Sequence, residues 1–435
     1  MLNVSALMKI LYLCPDLGIP VLGRKGASVH VRELIGAFAR AGHRVTLAAQ
    51  TLIKSPTDEP AKVKARVIHI PSDPAATSTA QALKNFHERL GVESPLPGEL
   101  RRICYNDTLY RELKRRFLKH KPGFIYERAS LYATAGARLA EKFKVPHIVE
   151  LNAPLAVEQS AYRATGFGEL AAQAERWTLT RADAVIVVST ELGKHVRALG
   201  VPAKKIHVMP NGVNPELFSA RGLQSASASV SSRRGKVQPL RHPVSRSGLE
   251  PALLGFVGGL RPWHGVEILP QLLARLSKRH PAVRLIIAGD GQLRSALERE
   301  FKRRRLSNRV TFTGALLHEE IPGFIRQFDI ALAPYPRHDH DFYFSPLKLF
   351  EYMACGVAVV ASDVGQISEV VRHAQTGLLY PAGNFSALVS RCETLLANEA
   401  LRARLGAAAA REVARKFTWD INAAKVAKIA KGLRP

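Results

Sequence analysis

Two α/β domains in series, each a parallel sheet wound on both faces by helices, are the fold class this sequence predicts, and three observations predict it. The chain has 435 residues, 46% of them hydrophobic, enough for two cores of about 200 residues each. Short runs of Val, Ile and Leu alternate with stretches of helical period, the pattern of βα units. That rhythm stops once, between Ser219 and Ser247, and then restarts.

Before the break, the apolar runs predict strands at Ile10–Leu13, Val45–Ala48, Val67–Ile70, Phe124–Tyr126, Ile148–Leu151, Ala184–Val188 and Ile206–Met209. The first helix is expected to be capped by Ser28, to bury Val31, Leu34, Ile35 and Phe38 on one face, and to stop at Ala41-Gly42. The break itself mixes serines with Arg233, Arg234, Lys236, Arg241 and Arg246 and holds too few large apolar groups to offset its ordering entropy. It reads as a linker or surface insertion, and a basic arm for nucleic acid has the same composition. After it, strands are predicted at Leu253–Val257, Leu285–Ala288, Val310–Thr313, Ile330–Ala333 and Val357–Ala361, then helices over Glu399–Arg415 and Asp420–Lys431. The predicted organisation is a first domain over 8–217, the Ser/Arg-rich segment over 218–250, a second domain over 251–417, and a last helix over 418–435 returning to the first domain. Two such domains are expected to face each other across a cleft, since ligands of open parallel sheets sit beyond the carboxyl ends of the strands.

Sixty-three Lys and Arg against thirty-six Asp and Glu give a net charge of +27, which favours anionic partners. Cys14, Cys104, Cys355 and Cys392 form no C-x-x-C pair, so neither a disulfide framework nor a zinc cluster is expected and a reducing cytoplasm fits. Lys9 interrupts the apolar N-terminus, and no small-residue cleavage site precedes Pro15-Asp16, which favours a buried first strand over a signal peptide. No apolar run is long enough to span a bilayer.

The segment from Tyr343 to Gly356 carries the most chemistry. Ser345 is predicted as a helix cap, Pro346 as the first helical residue and Gly356 as the stop. The free N–H groups at such a helix start form an anion site. Ser345, Lys348 and Glu351 recur every three residues along one face, so an anion at the helix start would meet Lys348 and a hydroxyl of the same ligand would meet Glu351. The alternative is a Lys and Glu pair solvating an ordinary surface helix.

This segment, together with Gly255-Phe256-Val257-Gly258-Gly259-Leu260-Arg261-Pro262-Trp263-His264-Gly265, resembles the retaining glycosyltransferases of family four, whose fold is GT-B. Gly26-Ala27-Ser28-Val29-His30-Val31-Arg32-Glu33-Leu34, Asn152-Ala153-Pro154-Leu155, Pro210-Asn211-Gly212-Val213 and Ala288-Gly289-Asp290-Gly291 match in the same order. The resemblance implies that the second domain holds a nucleotide-diphosphate sugar, with Ser345, Pro346, Leu347 and Lys348 at the diphosphate. Glu351 would then take the ribose hydroxyls, and Gly314 and Leu316 would lie beside the base. Gly26, in the loop after the first strand, and Gly258 and Gly259 would approach the phosphates.

Three positions depart from the family's pattern. Tyr343 stands where an acid precedes Glu351 and contacts the sugar. His264 stands at a lysine position, with Arg261 nearby as a replacement cation. Asn152 stands where many relatives carry a histidine on the acceptor side. The implied reaction is transfer with retained anomeric configuration, in which Lys348 and Arg261 stabilise the leaving diphosphate.

Other signals are set aside. His338-Asp339-His340-Asp341 imitates a metal motif but sits in a predicted loop, and no metal or other cofactor is assigned. Arg111, Lys114, Arg115, Lys119 and Lys121 form either a solvated helix face or a docking face for anionic lipid. No nucleic-acid module accompanies them, so no nucleic-acid partner is expected. Trp177 and Trp419 are expected in the core, and Trp263 is a candidate lining residue of the donor site. The expected function is a glycosyltransferase moving a sugar from a UDP- or GDP-sugar to a glycan or lipid-linked acceptor, cytoplasmic or at the inner face of a membrane. A nucleotide-sugar epimerase of the same fold and a non-catalytic nucleotide-sugar-binding protein are the alternatives.

Overall fold

The computed structural model describes residues 7–54, 60–162, 165–218, 252–338 and 341–433. The Ser/Arg-rich segment 219–247, Asp339 and His340 lie outside these described residues. The chain divides into two compact units, one made of Met1–Pro210 with Trp419–Pro435 and the other of Asn211–Thr418.

The first unit contains β1 (Lys9–Cys14), β2 (Arg44–Ala49), β3 (Arg66–His69), β4 (Phe124–Arg128), β5 (His147–Leu151), β6 (Ala184–Val187) and β7 (Ile206–Val208). They form one parallel sheet in the order β3-β2-β1-β4-β5-β6-β7. The second unit contains β8 (Leu253–Val257), β9 (Arg284–Ala288), β10 (Val310–Gly314), β11 (Ile330–Ala333), β12 (Ala358–Asp363) and β13 (Leu378–Pro381). Its parallel sheet runs β10-β9-β8-β11-β12-β13. In each sheet the direction of chain progress reverses once, between β1 and β4 and between β8 and β11. The loops leaving those strands diverge there and open a crevice for a ligand.

Helices cover both faces of the second sheet, so its central strands β8 and β11 are apolar, whereas the edge strand β10 carries Thr311 and Thr313 and is only half-buried. On β12, Val359 and Ala361 join Phe350, Met353 and Val413 in one core, while Ala358 and Val360 join Leu276, Cys392 and Leu405 in the other. The first strand, β1, is buried from Ile10 to Cys14, as its unbroken apolar run requires.

Three local expectations need correction. The first helix runs Gly26–Arg40 with Lys25 at its N-cap, and Ser28 lies inside its first turn, buried between helix and sheet with Val29 and Val31. Burial of that face outweighs the capping preference of a serine. The helix does end at Ala41, followed by Gly42 at φ +83°. Strand β13 was not anticipated, because its apolar run Leu378-Leu379-Tyr380 is too short to separate from a turn between Gly377 and Pro381. Trp177 is only half-buried, its ring covered by the Arg181 guanidinium at 4.2 Å.

The terminal helix, Trp419–Gly432, packs on the helix Gly26–Arg40. Trp419 is buried with its ring 4.7 Å from His30, and Asp420 pairs with Arg40 at 2.8 Å. In the second unit, the helix Glu399–Lys416 reaches the backbone at Gly356. A Cβ on Gly406 would come within 1.9 Å of the Gly356 carbonyl oxygen, so close packing there depends on the missing side chain. Gly406→Ala is expected to lower stability by about 1–3 kcal/mol, the usual cost of overpacking, seen as a lower urea midpoint. An unchanged midpoint would contradict the contact.

Candidate functional site

Beyond the carboxyl end of β8 the chain turns through Gly258 and Gly259. Gly258 has φ +134° and donates its N–H to the Ala288 carbonyl at 2.9 Å. Gly289, after β9, has φ +151°, and a Cβ there would sit 2.0 Å from the Gly258 oxygen. Only glycine permits this backbone contact. A Cβ on Gly258 would also meet the Lys348 ammonium at 2.8 Å, so the bare backbone makes room for the cation.

Lys348 comes from the helix Leu347–Ala354. That helix begins one residue later than the sequence suggested. Pro346 is its N-cap and offers no side-chain capping bond, because the Ser345 hydroxyl instead accepts from the Asn211 N–H at 3.0 Å. The Asn211 side-chain amide donates to the Ser345 carbonyl at 2.6 Å. The helix ends at Cys355, followed by Gly356 at φ +71°.

Lys348 is 7% exposed and its Nζ has no hydrogen-bond partner among the described residues. It lies 4.1 Å from the centroid of the Phe256 ring and 5.4 Å from that of Tyr335, whose π faces supply part of the missing solvation. Tyr352 holds the same helix against β8, its hydroxyl accepting from the Val257 N–H at 2.7 Å. Burial costs a charged ammonium several kcal/mol and so pushes the Lys348 pKa down to about 7, against a smaller upward pull from Glu351. The natural remedy is an anion at the helix start, where Leu347 and Lys348 N–H groups have no intrahelical acceptor.

The other sequence-predicted residues are distributed around this point. Glu351, one turn further along, is buried with Oε1 3.8 Å from His318 Nδ1. Gly314 closes β10 at φ +75° and precedes half-buried Leu316, so both line the loop that leads to His318. His264 Nδ1 contacts the Gly259 carbonyl. Burial and then the Lys348 charge push its pKa down to about 3, and the neutral ring therefore donates from Nδ1 to that carbonyl. His264 thus supplies no positive charge where the resemblance implies a lysine. Arg261 is exposed and its guanidinium donates to Gln292 at 2.8 Å, so Lys348 is the buried cation of this loop cluster. Trp263 is 38% exposed beside His264, at a ring distance of 6.2 Å. Tyr343 is buried against Phe344, centroids 4.5 Å apart, and puts a phenol where the resemblance implies a carboxylate.

Sequence reasoning missed Phe256, Tyr335 and His318. Phe256 lies within the predicted strand Leu253–Val257, Tyr335 follows the predicted strand Ile330–Ala333, and His318 sits in a loop with no periodicity.

The first unit carries its own polar cluster at the carboxyl ends of β4 and β5. Glu150 Oε1 lies 2.6 Å from His30 Nε2, and Arg128 lies 3.9 Å from the second carboxylate oxygen. Burial alone would raise the Glu150 carboxyl, but His30, Arg128 and Tyr126 together hold it below its ordinary value. Burial lowers the His30 pKa against the opposing pull of Glu150. Asn152 follows β5 with a buried Nδ2 that has no hydrogen-bond partner. Gly26 begins the first helix, and the loop before it is staked by Arg32, which donates to the carbonyls of Val21 at 2.9 Å and Gly23 at 2.6 Å. His147 starts β5 and is paired with Glu127 at 2.8 Å inside the core.

Comparison with known proteins bears on these two units. Residues 24–217 match the family model described as Glycosyltransferase Family 4, and residues 251–398 match the one described as Glycosyl transferases group 1. A glycogen synthase of Mycobacterium tuberculosis is 24% identical over 97% of this chain and 94% of its own. Among solved structures, sucrose-phosphate synthase from Thermosynechococcus elongatus superposes with a TM-score of 0.72 at 22% identity, covering 98% of this chain and 99% of its own. The Anabaena protein HepE, solved with UDP and glucose, gives 0.67 at 18% identity over 98% and 100%.

A lysine whose pKa is about 7 in the folded protein and near 10.4 when unfolded binds fewer protons folded than unfolded between those values. Stability from this group is therefore present above pH 10 and is lost as pH falls through about 7. The ligand-free wild type should lose thermal stability from pH 9 to pH 6 more steeply than Lys348→Met. Parallel melting curves of the two proteins across that range would show that the ammonium is not the buried group.

Proposed function

The chain belongs to the family-four glycosyltransferases and has their GT-B fold, and from that premise we propose that it moves a sugar from a UDP- or GDP-sugar to a glycan or lipid-linked acceptor with retention of configuration. It is an enzyme that uses nucleotide sugars. The observation that carries the finer reading is the Lys348 ammonium, buried, without a hydrogen-bond partner, at the start of a helix. A diphosphate is the anion that fits, because the helix start and the lysine can each take one phosphate while Glu351 accepts from ribose hydroxyls one turn away.

In the proposed step the acceptor hydroxyl oxygen bonds to the anomeric carbon as the bond from that carbon to the phosphate oxygen breaks. The electron pair goes to the diphosphate, where Lys348 and the first N–H groups of the helix meet the growing charge. The leaving phosphate oxygen takes the acceptor proton on the same face, which keeps the anomeric configuration. Positive charge that a divalent ion supplies elsewhere comes here from Lys348 and the helix dipole. The relative named glycogen synthase and the neighbour solved with UDP and glucose support a UDP-sugar and a glycan as first substrates to try.

A membrane surface bearing a lipid-linked acceptor is part of the proposal. No helix among the described residues is long and apolar enough to cross a membrane. The helix Pro74–Leu90 has a single buried residue, Ala80, and it leaves Phe86, Leu90 and the following Val92 between 50% and 60% exposed. The next helix, Leu96–Phe117, is fixed by buried Glu99, which accepts from Tyr132 and Thr165, both at 2.8 Å, and Gly166 at 3.0 Å. Arg115 and Arg116 on this helix share Glu112, so the basic face is partly neutralised and the exposed apolar side chains carry this part of the reading.

Lys348→Ala is expected to lower transfer by about two to three orders of magnitude, the usual loss for one charge-stabilising contact. Initial rates with UDP-glucose and GDP-mannose test this, and proton NMR of the first-formed product reads the configuration. Unchanged turnover or an inverted product would overturn the mechanism. Phe86→Asp with Leu90→Asp is expected to abolish co-sedimentation with phosphatidylglycerol vesicles, whereas equal pelleting of variant and wild type would remove the surface proposed for it.

A further inference from the structure

Ser345 is two residues before the proposed diphosphate helix, and a serine hydroxyl can turn forward to accept from backbone N–H groups two or three residues on. Here it does not. Pro346 has no N–H, and Leu349 donates to the Pro346 carbonyl at 3.1 Å, which leaves Leu347 and Lys348 as the open donors. These are the same donors an anion needs. Left to itself, Ser345 would compete with the ligand for them.

Asn211 prevents that from both of its donor groups. Its backbone N–H donates to the Ser345 hydroxyl at 3.0 Å and its side-chain amide to the Ser345 carbonyl at 2.6 Å. A carbonyl accepts only, so the amide nitrogen must be the atom facing it, and the orientation of the Asn211 amide is settled. Both residues are buried, Oδ1 of Asn211 makes no other bond, and Asn211 is the first residue of the second unit. The clamp joins positions 134 residues apart in the chain.

We propose that Asn211 is a positioning residue of the donor site, holding Ser345 so that its hydroxyl stays off the helix start and the Leu347 and Lys348 N–H groups remain open to the diphosphate. The proposal rests on the reading of that helix start as the diphosphate site. Loss of the amide frees the Ser345 carbonyl, the serine loses its fixed orientation, and the hydroxyl then occupies the anion's donors. The effect of Asn211 is therefore conditional on the hydroxyl it restrains.

The test is calorimetric binding of UDP, or GDP where UDP fails to bind, to wild type, Asn211→Ala, Asn211→Asp, Ser345→Ala and the Asn211→Ala/Ser345→Ala pair. Circular dichroism checks that each is folded. Asn211→Ala is expected to weaken binding by about tenfold with serine at 345, the scale of one well-placed hydrogen bond, and by less than about threefold with alanine there. Asn211→Asp keeps the shape and the backbone N–H but cannot donate to the carbonyl, and should behave as Asn211→Ala does. A purely structural Asn211 would cost the same in both backgrounds, and that equality, or no loss in either, overturns the proposal. Wild type that binds neither nucleotide, or Lys348→Ala that binds as wild type does, would instead remove the donor-site reading and this proposal with it.

Discussion

A lysine amine with no hydrogen-bond partner among the described residues, sealed against two aromatic rings, is the constraint around which the second unit is arranged. Lys348 could shed its burial penalty by moving outward, but Tyr352 ties its helix to β8 and the cores on either side of β12 fix its depth. Burial holds the amine near neutrality, with a pKa of about 7, and in the proposed reading an anion at the helix start would favour its charged form. On that proposal, several kcal/mol of unfavourable burial would become affinity for a ligand that brings negative charge.

The loop opposite follows from the same requirement. Gly258 lacks a side chain where one would strike the ammonium, and Gly289 lacks one where it would strike Gly258. His264 lies next to the cation and adapts by staying neutral, its proton directed to the Gly259 carbonyl. A second cation at that place would have raised the burial cost of the first. The exposed Arg261, engaged with Gln292, adds charge to the rim without sharing the buried space.

Most strands were legible in the sequence because a parallel sheet covered on both faces needs unbroken apolar runs, and Ile10–Cys14 and Val357–Ala361 are such runs. The helix of Lys348 and Glu351 was legible too, since Pro346 and Gly356 bracket it. What was hidden depended on contacts between distant positions. Nothing near Ser345 announces that its hydroxyl is taken by Asn211, so its capping role was inferred from local chemistry and was wrong. Nothing in the sequence near Phe256 or Tyr335 tells that their ring faces meet the Lys348 amine. His318 carries no local pattern, and its place beside Glu351 comes from the path of a loop after β10.

The route of the chain has a further consequence in the helix Trp419–Gly432. The first unit's sheet is complete by β7, yet Trp419 covers His30, Asp420 pairs with Arg40, and Asn422 donates to the Pro210 carbonyl at 2.8 Å. During synthesis the nascent first half must therefore wait, with that helix surface uncovered, while some two hundred residues of its neighbour are translated. Native closure of the part made first thus depends on residues translated after the second unit.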